Sequence, residues 1–420
     1  MVRQTGRMKA DMVVIGAGAL GLSTALHGVL AGRSVIVVER AAAGSQASGR
    51  AAGLFKSVQA DALRTALARR SIARAVSFGD WAGVPLDVVR SGSFLVARTD
   101  AHQAYLRTEA RQSAGWGAEV RVAPAAELAD RVSYYRGDGT ELALWCPEDI
   151  YIEEPMSLVA AYLAAARRHG TEVLEREAVT GVVMSGGGVA GIETTARSIR
   201  AAVVVDAAGA WTRQVAALAG ADASVAPVRH QLLVTEPTAQ VRAGDSITRV
   251  VDAAAYLRPA RGGLMFGGFE ADPLPVDPRT EPAGFSTDDV PLDLSVLRKM
   301  ADRVAAEVPV AMDQPVAEHR GGLFTMSPDG RFVAGPVPHV PGLWVASGCN
   351  GSGFSSSPAI GEALADWICD RPDRLDISAL SPARFAVRTD EELVSRGVWQ
   401  YAHYYDPVAD ADQGCAAVRN

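Results

Sequence analysis

The chain has 420 residues, 48% of them hydrophobic and 21% charged, an ordinary globular composition in a chain too long for one hydrophobic core. Two domains, or one domain with a large insertion, are expected. The formal net charge is −7 and no run of Lys and Arg is dense, which argues against nucleic acid or an anionic membrane surface as a partner.

Residues 1–10 read as a polar lead-in without an export signal. A β-α-β unit follows: "DMVVIGAG" as strand, "ALGLSTALHGVLAGR" as helix with Gly32 at its end, and "SVIVVER" as strand. Gly16, Gly18 and Gly21 fit G-x-G-x-x-G between that strand and helix, with Glu39 closing the next strand. In this setting Gly16 allows a tight turn, Gly18 admits a diphosphate and Gly21 lets helix and strand approach. Ala17, Ala19 and Leu20 complete the turn whose amides and helix dipole face the phosphates. Glu39 is placed to accept from ribose hydroxyls, with Arg40 beside it.

The fingerprint alone does not separate NAD from FAD. The next stretch, "GSQASGRAAGLF", does. Gln46, Ala47, Ser48, Arg50, Ala51, Ala52 and Gly53 form a nearly bare segment around one guanidinium. Small side chains let backbone amides lie against a long cofactor's flat ring, which points to FAD.

After a helical stretch, "ALRTALARRSIARAVSFGDWA", the texture changes to short alternating runs such as "GSFLVAR" and "GTELALWC", the pattern of an antiparallel sheet with a helix between. "SLVAAYLAAARRHG" is a helix too short to span a membrane. A Gly-rich hairpin at "SGGG", further alternating runs from Arg229 to Pro259 and a Pro-rich loop follow. "LDLSVLRKMADRVAAEVP" reads as helix, "GLWVASG" as strand and "SPAIGEALADWICD" as helix. The tail "RFAVRTDEELVSRGVWQYAHYYDP" is aromatic and weakly periodic, and packing, not a substrate cage, is its expected use. The fold class expected is α/β, with a Rossmann-like FAD-binding domain interleaved with an antiparallel-sheet substrate domain. The boundaries expected are 8–85, 147–218 and 322–380 for the first, 86–146 and 219–321 for the second, and 381–420 for the tail.

"GCNGSGF" joins a strand to a helix and leaves amides free near the helix start. Gly348, Asn350, Gly351, Ser352, Gly353 and Phe354 are expected there beside the flavin, whose reduced form is anionic and gains from a helix N-terminus. The four cysteines, Cys146, Cys349, Cys369 and Cys415, are widely spaced. No metal site or disulfide framework is expected, and a reducing, cytoplasmic location fits.

Taken together, "VVIGAGALGLSTALHGVLAG", the Ser/Gly/Arg loop, "VVVDAAGAWTRQVAALAG", "VRHQLLVTEP", "AYLRPARGGLMFGGFE" and "LFTMSPDGRFVAGPVPHVPGLWVASGCNGSGF" resemble the FAD-dependent D-amino-acid oxidase superfamily of glycine oxidase, sarcosine oxidase and dimethylglycine dehydrogenase-like proteins. The resemblance implies further cofactor contacts at Val179, Ala208, Gly209 and Trp211. It implies oxidation of a carbon–nitrogen bond of an amine or amino acid, with an N-alkyl amino acid as the expected type, by hydride transfer to flavin and hydrolysis of the imine. Arg50 is the first candidate to hold a substrate carboxylate, with Lys56, Arg258 and Arg320 behind it and Tyr256 facing the substrate. His230 and His319 read as structural. Where family members carry a His or a Cys that tethers flavin, this chain has Arg50 and Gly322, so FAD is expected to be non-covalent. Met265 stands where sarcosine oxidase-like members place a lysine, so slow use of O2 is expected unless Lys56 substitutes. Electrons would pass to O2 or to an acceptor protein. A dehydrogenase subunit, a flavin monooxygenase and a non-catalytic flavoprotein remain open, as does the oligomeric state.

Overall fold

The strand Met12–Ile15 is buried along its whole length, as a run of four apolar residues covered on both faces of a parallel sheet must be. It sits inside a six-stranded sheet ordered Val333–Pro336, Leu343–Ser347, Val203–Asp206, Met12–Ile15, Val35–Glu39, Glu172–Glu175. Every pair is parallel except the edge strand Val333–Pro336, which runs antiparallel to its neighbour. The coordinates are a computed structural model and describe residues 7–371, 375–386 and 389–406. Residues 1–6 of the lead-in, Cys415 and the end of the tail lie outside the described residues.

The helix Ala19–Leu30 packs against the helix Gly353–Ile368 on this sheet. A β-carbon on Gly361 would stand 2.3 Å from Ser23 Oγ, so the two helices approach through a glycine. Pro358 lies within the second helix. The stretch read as one helix from residue 62 onward breaks at Ser77 into Ala62–Val76 and Phe78–Ala82.

The second large sheet has eight strands ordered Val316–Met326, Ala226–Thr235, Gly263–Gly268, Ala255–Ala260, Ile247–Val250, Ser93–Ala97, Leu142–Cys146, Arg121–Ala123. It is antiparallel except between Ile247–Val250 and Ser93–Ala97. The strands of the two sheets alternate along the chain, as the changing texture of the sequence suggests. A four-stranded sheet carries the hairpin turning at Gly186 and Gly187. The weakly periodic tail forms the helix Asp390–Ala402, capped by the Thr389 hydroxyl, with three acids in its first turn. Leu393, Gly397 and Tyr401 are its buried residues, a spacing of four that lays one face on the strand Ala226–Thr235. Among the described residues no helix is long and apolar enough to cross a membrane.

One buried carboxylate joins the small ribbon Leu54–Phe55/Ile150–Tyr151 to the large sheet. Asp149, fully buried, accepts from Ser57 N, Ser57 Oγ and Ser93 Oγ, each at 2.6 Å, and pairs with buried Arg249 at 3.1 Å. Removing it leaves the Arg249 charge uncompensated in the interior. Asp149→Ala is expected to cost about 3–5 kcal/mol, seen as a fall of roughly 3–6 °C in the Tm of thermal unfolding.

Candidate active site

A cavity of about 520 Å³ runs from the start of the helix Ala19–Leu30 to the face of the eight-stranded sheet. At its first end the backbone turns at Gly16, with φ of +107°. A β-carbon there would meet the Ala207 carbonyl oxygen at 2.5 Å, and one on Gly21 would meet the Gly16 oxygen at 2.0 Å. These glycines let the strand, turn and helix close on one another. Glu39 pins the same turn: its carboxylate accepts from Ala17 N at 2.8 Å and from Ala41 N at 2.9 Å. The Ala19 amide donates to Ser48 Oγ at 3.0 Å and the Leu22 amide returns to the Gly18 oxygen. The amides of Leu20 and Gly21 have no hydrogen-bond partner among the described residues, an anion-binding helix start.

Ala47, Ser48, Ala51, Ala52 and Gly53 line the middle of the cavity. Gln46 Oε1 accepts from Thr287 N and Oγ1. Arg40 stacks its guanidinium 3.8 Å above the Trp211 ring and donates to the Phe285 oxygen. Val179, Ala208 and Gly209 also line this part.

The single guanidinium of the bare loop, Arg50, lines the cavity but pairs with Asp288. Its charge is thus opposed by a carboxylate, and it ties the loop to the turn Thr287–Asp289. Gly322 stands against the loop as well: a β-carbon there would lie 3.4 Å from Ala47 Cα.

The far end is aromatic and cationic. His230 bonds through Nε2 to Tyr256 Oη and through Nδ1 to Tyr401 Oη, both at 2.7 Å, and lies flat on Phe324 at 4.1 Å. Burial lowers its pKa to about 3, so the ring is neutral. One nitrogen of a neutral imidazole donates and the other accepts, so one of the two hydroxyls keeps its proton for another partner. Burial also pushes the Tyr256 hydroxyl upward. Lys56 Nζ donates to Tyr404 Oη at 2.8 Å. Arg320 pairs with Glu318 at 3.2 Å and donates to the Ala51 oxygen, but its buried Nε has no hydrogen-bond partner among the described residues.

Several expected residues lie elsewhere. Arg258 is fully buried and absent from the cavity wall; its three nitrogens donate to the carbonyls of Ala52, Pro259 and Glu153 at 2.7–2.9 Å. Its guanidinium is spent on the backbone, and burial lowers its pKa to about 10. Asn350 turns inward, accepting from Ser327 N and donating to the Gly348 oxygen. Gly348, Ser352, Ala17 and Gly21 also stay off the wall, while Gly351, Gly353 and Phe354 are on it. Met265 is fully buried in the cluster with Leu232, Tyr256 and Phe269, behind the wall. His319 bonds to Gln231 Oε1. Conversely, His230, Phe269, Phe324, Tyr404 and Tyr405 line the cavity without having been expected there. The aromatic tail was the available signal for the last two.

The sequence matches the FAD dependent oxidoreductase family over residues 11–367, most of the chain. It belongs to that family. Glycine oxidase of Pseudomonas aeruginosa is 30% identical over 390 residues, covering 90% of this chain and 99% of that protein. Mitochondrial dimethylglycine dehydrogenase of Mus musculus is 27% identical over 386 residues, covering 90% of this chain but 44% of that protein, so the chain spans under half of that relative. The crystal structure of L-proline dehydrogenase from P. horikoshii shares the fold, with a TM-score of 0.80 at 22% identity over 90% of this chain and 98% of that one. Members of the family depend on FAD, and the cavity fits it: the turn closes without β-carbons, free amides face the diphosphate position, and a bare loop follows.

Two outcomes follow from this geometry. Gly16→Val drives a branched side chain into the Ala207 carbonyl at a positive φ, so the purified variant should carry little flavin, measured as flavin absorbance per protein. His230 and His27, the latter held near 4 by burial, are neutral when folded and bind protons when unfolded near pH 6.5. Their share of stability is full above pH 6.5 and is lost as pH falls toward 3–4. The Tm of His230→Gln should therefore fall less than that of the wild type between pH 7 and pH 4.

Proposed function

We propose that this chain oxidises the carbon–nitrogen bond of a secondary amine bearing a carboxylate, an N-alkyl amino acid. The observation that carries this reading is the charge layout of the cavity. The lining carboxylates Glu39 and Glu177 sit together at the helix-start end, where the Glu177 amide donates to the Glu39 carbonyl. The far end holds Lys56 and Arg320 beside neutral His230 and Tyr256.

In this reading the helix-start amides and Glu39 hold the diphosphate and ribose, and residues 46–53 and 351–354 lie along the ring. FAD, when bound, supplies the two-electron acceptor for the substrate carbon–nitrogen bond. Arg320 uses its unpartnered Nε to hold the carboxylate, with Lys56 as the second cation. Tyr256, seated on His230, accepts or donates at the amine, and the cationic surroundings favour the unprotonated amine that oxidation requires. Residues 8–85, 147–218 and 322–380 then carry the cofactor, and residues 86–146 and 219–321 the substrate. Lys56 is the lysine on the cavity wall, so reoxidation by O2 would depend on it rather than on position 265. Cofactor attachment is non-covalent: acid precipitation should leave a yellow supernatant over a colourless pellet.

Anaerobic mixing with a panel of N-alkyl amino acids should bleach the flavin. The same compounds lacking the carboxylate should do so poorly. Arg320→Ala should weaken substrate binding by about tenfold or more, the loss of one charge-assisted contact, with a smaller change in the bleaching rate at saturation. Equal bleaching by the decarboxylated amines would refute the reading.

A further inference from the structure

The family match stops at residue 367, yet two residues well beyond it line the cavity. The helix Asp390–Ala402 sets them there. Tyr401 is fully buried and its hydroxyl is fixed by His230, so the chain leaving the helix passes directly over the far end of the cavity. The Tyr404 ring lies parallel to Phe269, with centroids 3.9 Å apart and planes 7° apart. Tyr405 meets both rings edge-on, at 5.1 Å and 5.6 Å. It also packs into the apolar cluster of Leu95, Leu144 and Val251. Tyr404 is held a second time by Lys56, whose ammonium donates to its hydroxyl and lies 4.9 Å from its ring centroid.

We propose that Tyr404 and Tyr405 are specificity-determining residues of the substrate chamber, selecting a carboxylate that carries a large apolar, preferably aromatic, group. The proposal rests on the cavity's being the substrate chamber. Ring faces and edges offer apolar area with defined geometry, while Arg320 and Lys56 take the anionic end. A permanently cationic ligand is disfavoured, because Lys56 already occupies the cation-accepting side of Tyr404 and Arg320 adds like charge. Tyr404 and Tyr405 lie beyond residue 367, where the family match ends, and complete a wall whose Phe269, Lys56 and Arg320 lie within that match.

Calorimetric titration of the FAD-loaded protein with acetate and with phenylacetate tests this without turnover. The wild type should bind phenylacetate at least about tenfold more tightly than acetate, the effect of burying a phenyl ring. Tyr404→Phe keeps the ring and should hold that ratio within about twofold. Tyr404→Ser and Tyr405→Ser should each reduce it about fivefold or more; if the first loses its fold, seen as loss of flavin, the second decides. A wild-type ratio near one, or a ratio unmoved in Tyr405→Ser, would overturn the proposal, as would equal weakening of both ligands. Because binding and not bleaching is read, the proposal can fail while amine oxidation stands, and the reverse.

Discussion

The constraint on which the site depends is between two pieces of backbone. The Gly16 α-carbon faces the Ala207 carbonyl so closely that a β-carbon would stand 2.5 Å from it. That approach fixes the crevice at the ends of Met12–Ile15 and Val203–Asp206, where the sheet order places the first strand between Val203–Asp206 and Val35–Glu39. Open α/β sheets bind ligands at such a place. The helix start, Glu39 and the bare loop all line the cavity that opens at this crevice.

From that crevice the cavity changes character along its length. Its first part is built of backbone and small side chains, which suits a ligand recognised by shape and phosphate charge. Its far part is built of rings, cations and one neutral histidine. The His230 ring is held by two tyrosine hydroxyls and a phenylalanine face, and its neutrality follows from burial without a carboxylate to offset it. Local charge at that end therefore comes from Lys56 and Arg320, and the cavity has an electrostatic direction.

The loop at residues 44–55 shows how one residue can mislead when read alone. An arginine amid glycines and alanines suggests a ligand contact. In the fold its charge goes to Asp288, and the loop is held by Ser48 on the helix start and by Gln46 on Thr287. The small side chains line the cavity; the guanidinium serves the join between the loop and the turn Thr287–Asp289.

The sequence by itself determined the β-α-β unit, the glycine turn, the cofactor class and the alternation of two sheets, because each depends on neighbours a few residues apart: strand burial, helix start, tight turn. Of its candidate cations, Arg50, Lys56 and Arg320 line the cavity and Arg258 does not. Only the tertiary structure decided how each cation is partnered. Arg258 and Arg320 lie in strands of one sheet, yet the first ends among three carbonyls off the cavity wall, while the second lines the wall, pairs with Glu318 and keeps an unpartnered Nε. Asn350 sits in the expected motif, but its amide is consumed by Ser327. Tyr404 and Tyr405 reach the cavity through a helix whose buried Tyr401 meets His230 across 171 residues of sequence. Such pairings arise from packing between distant strands and helices, and no local spacing encodes them.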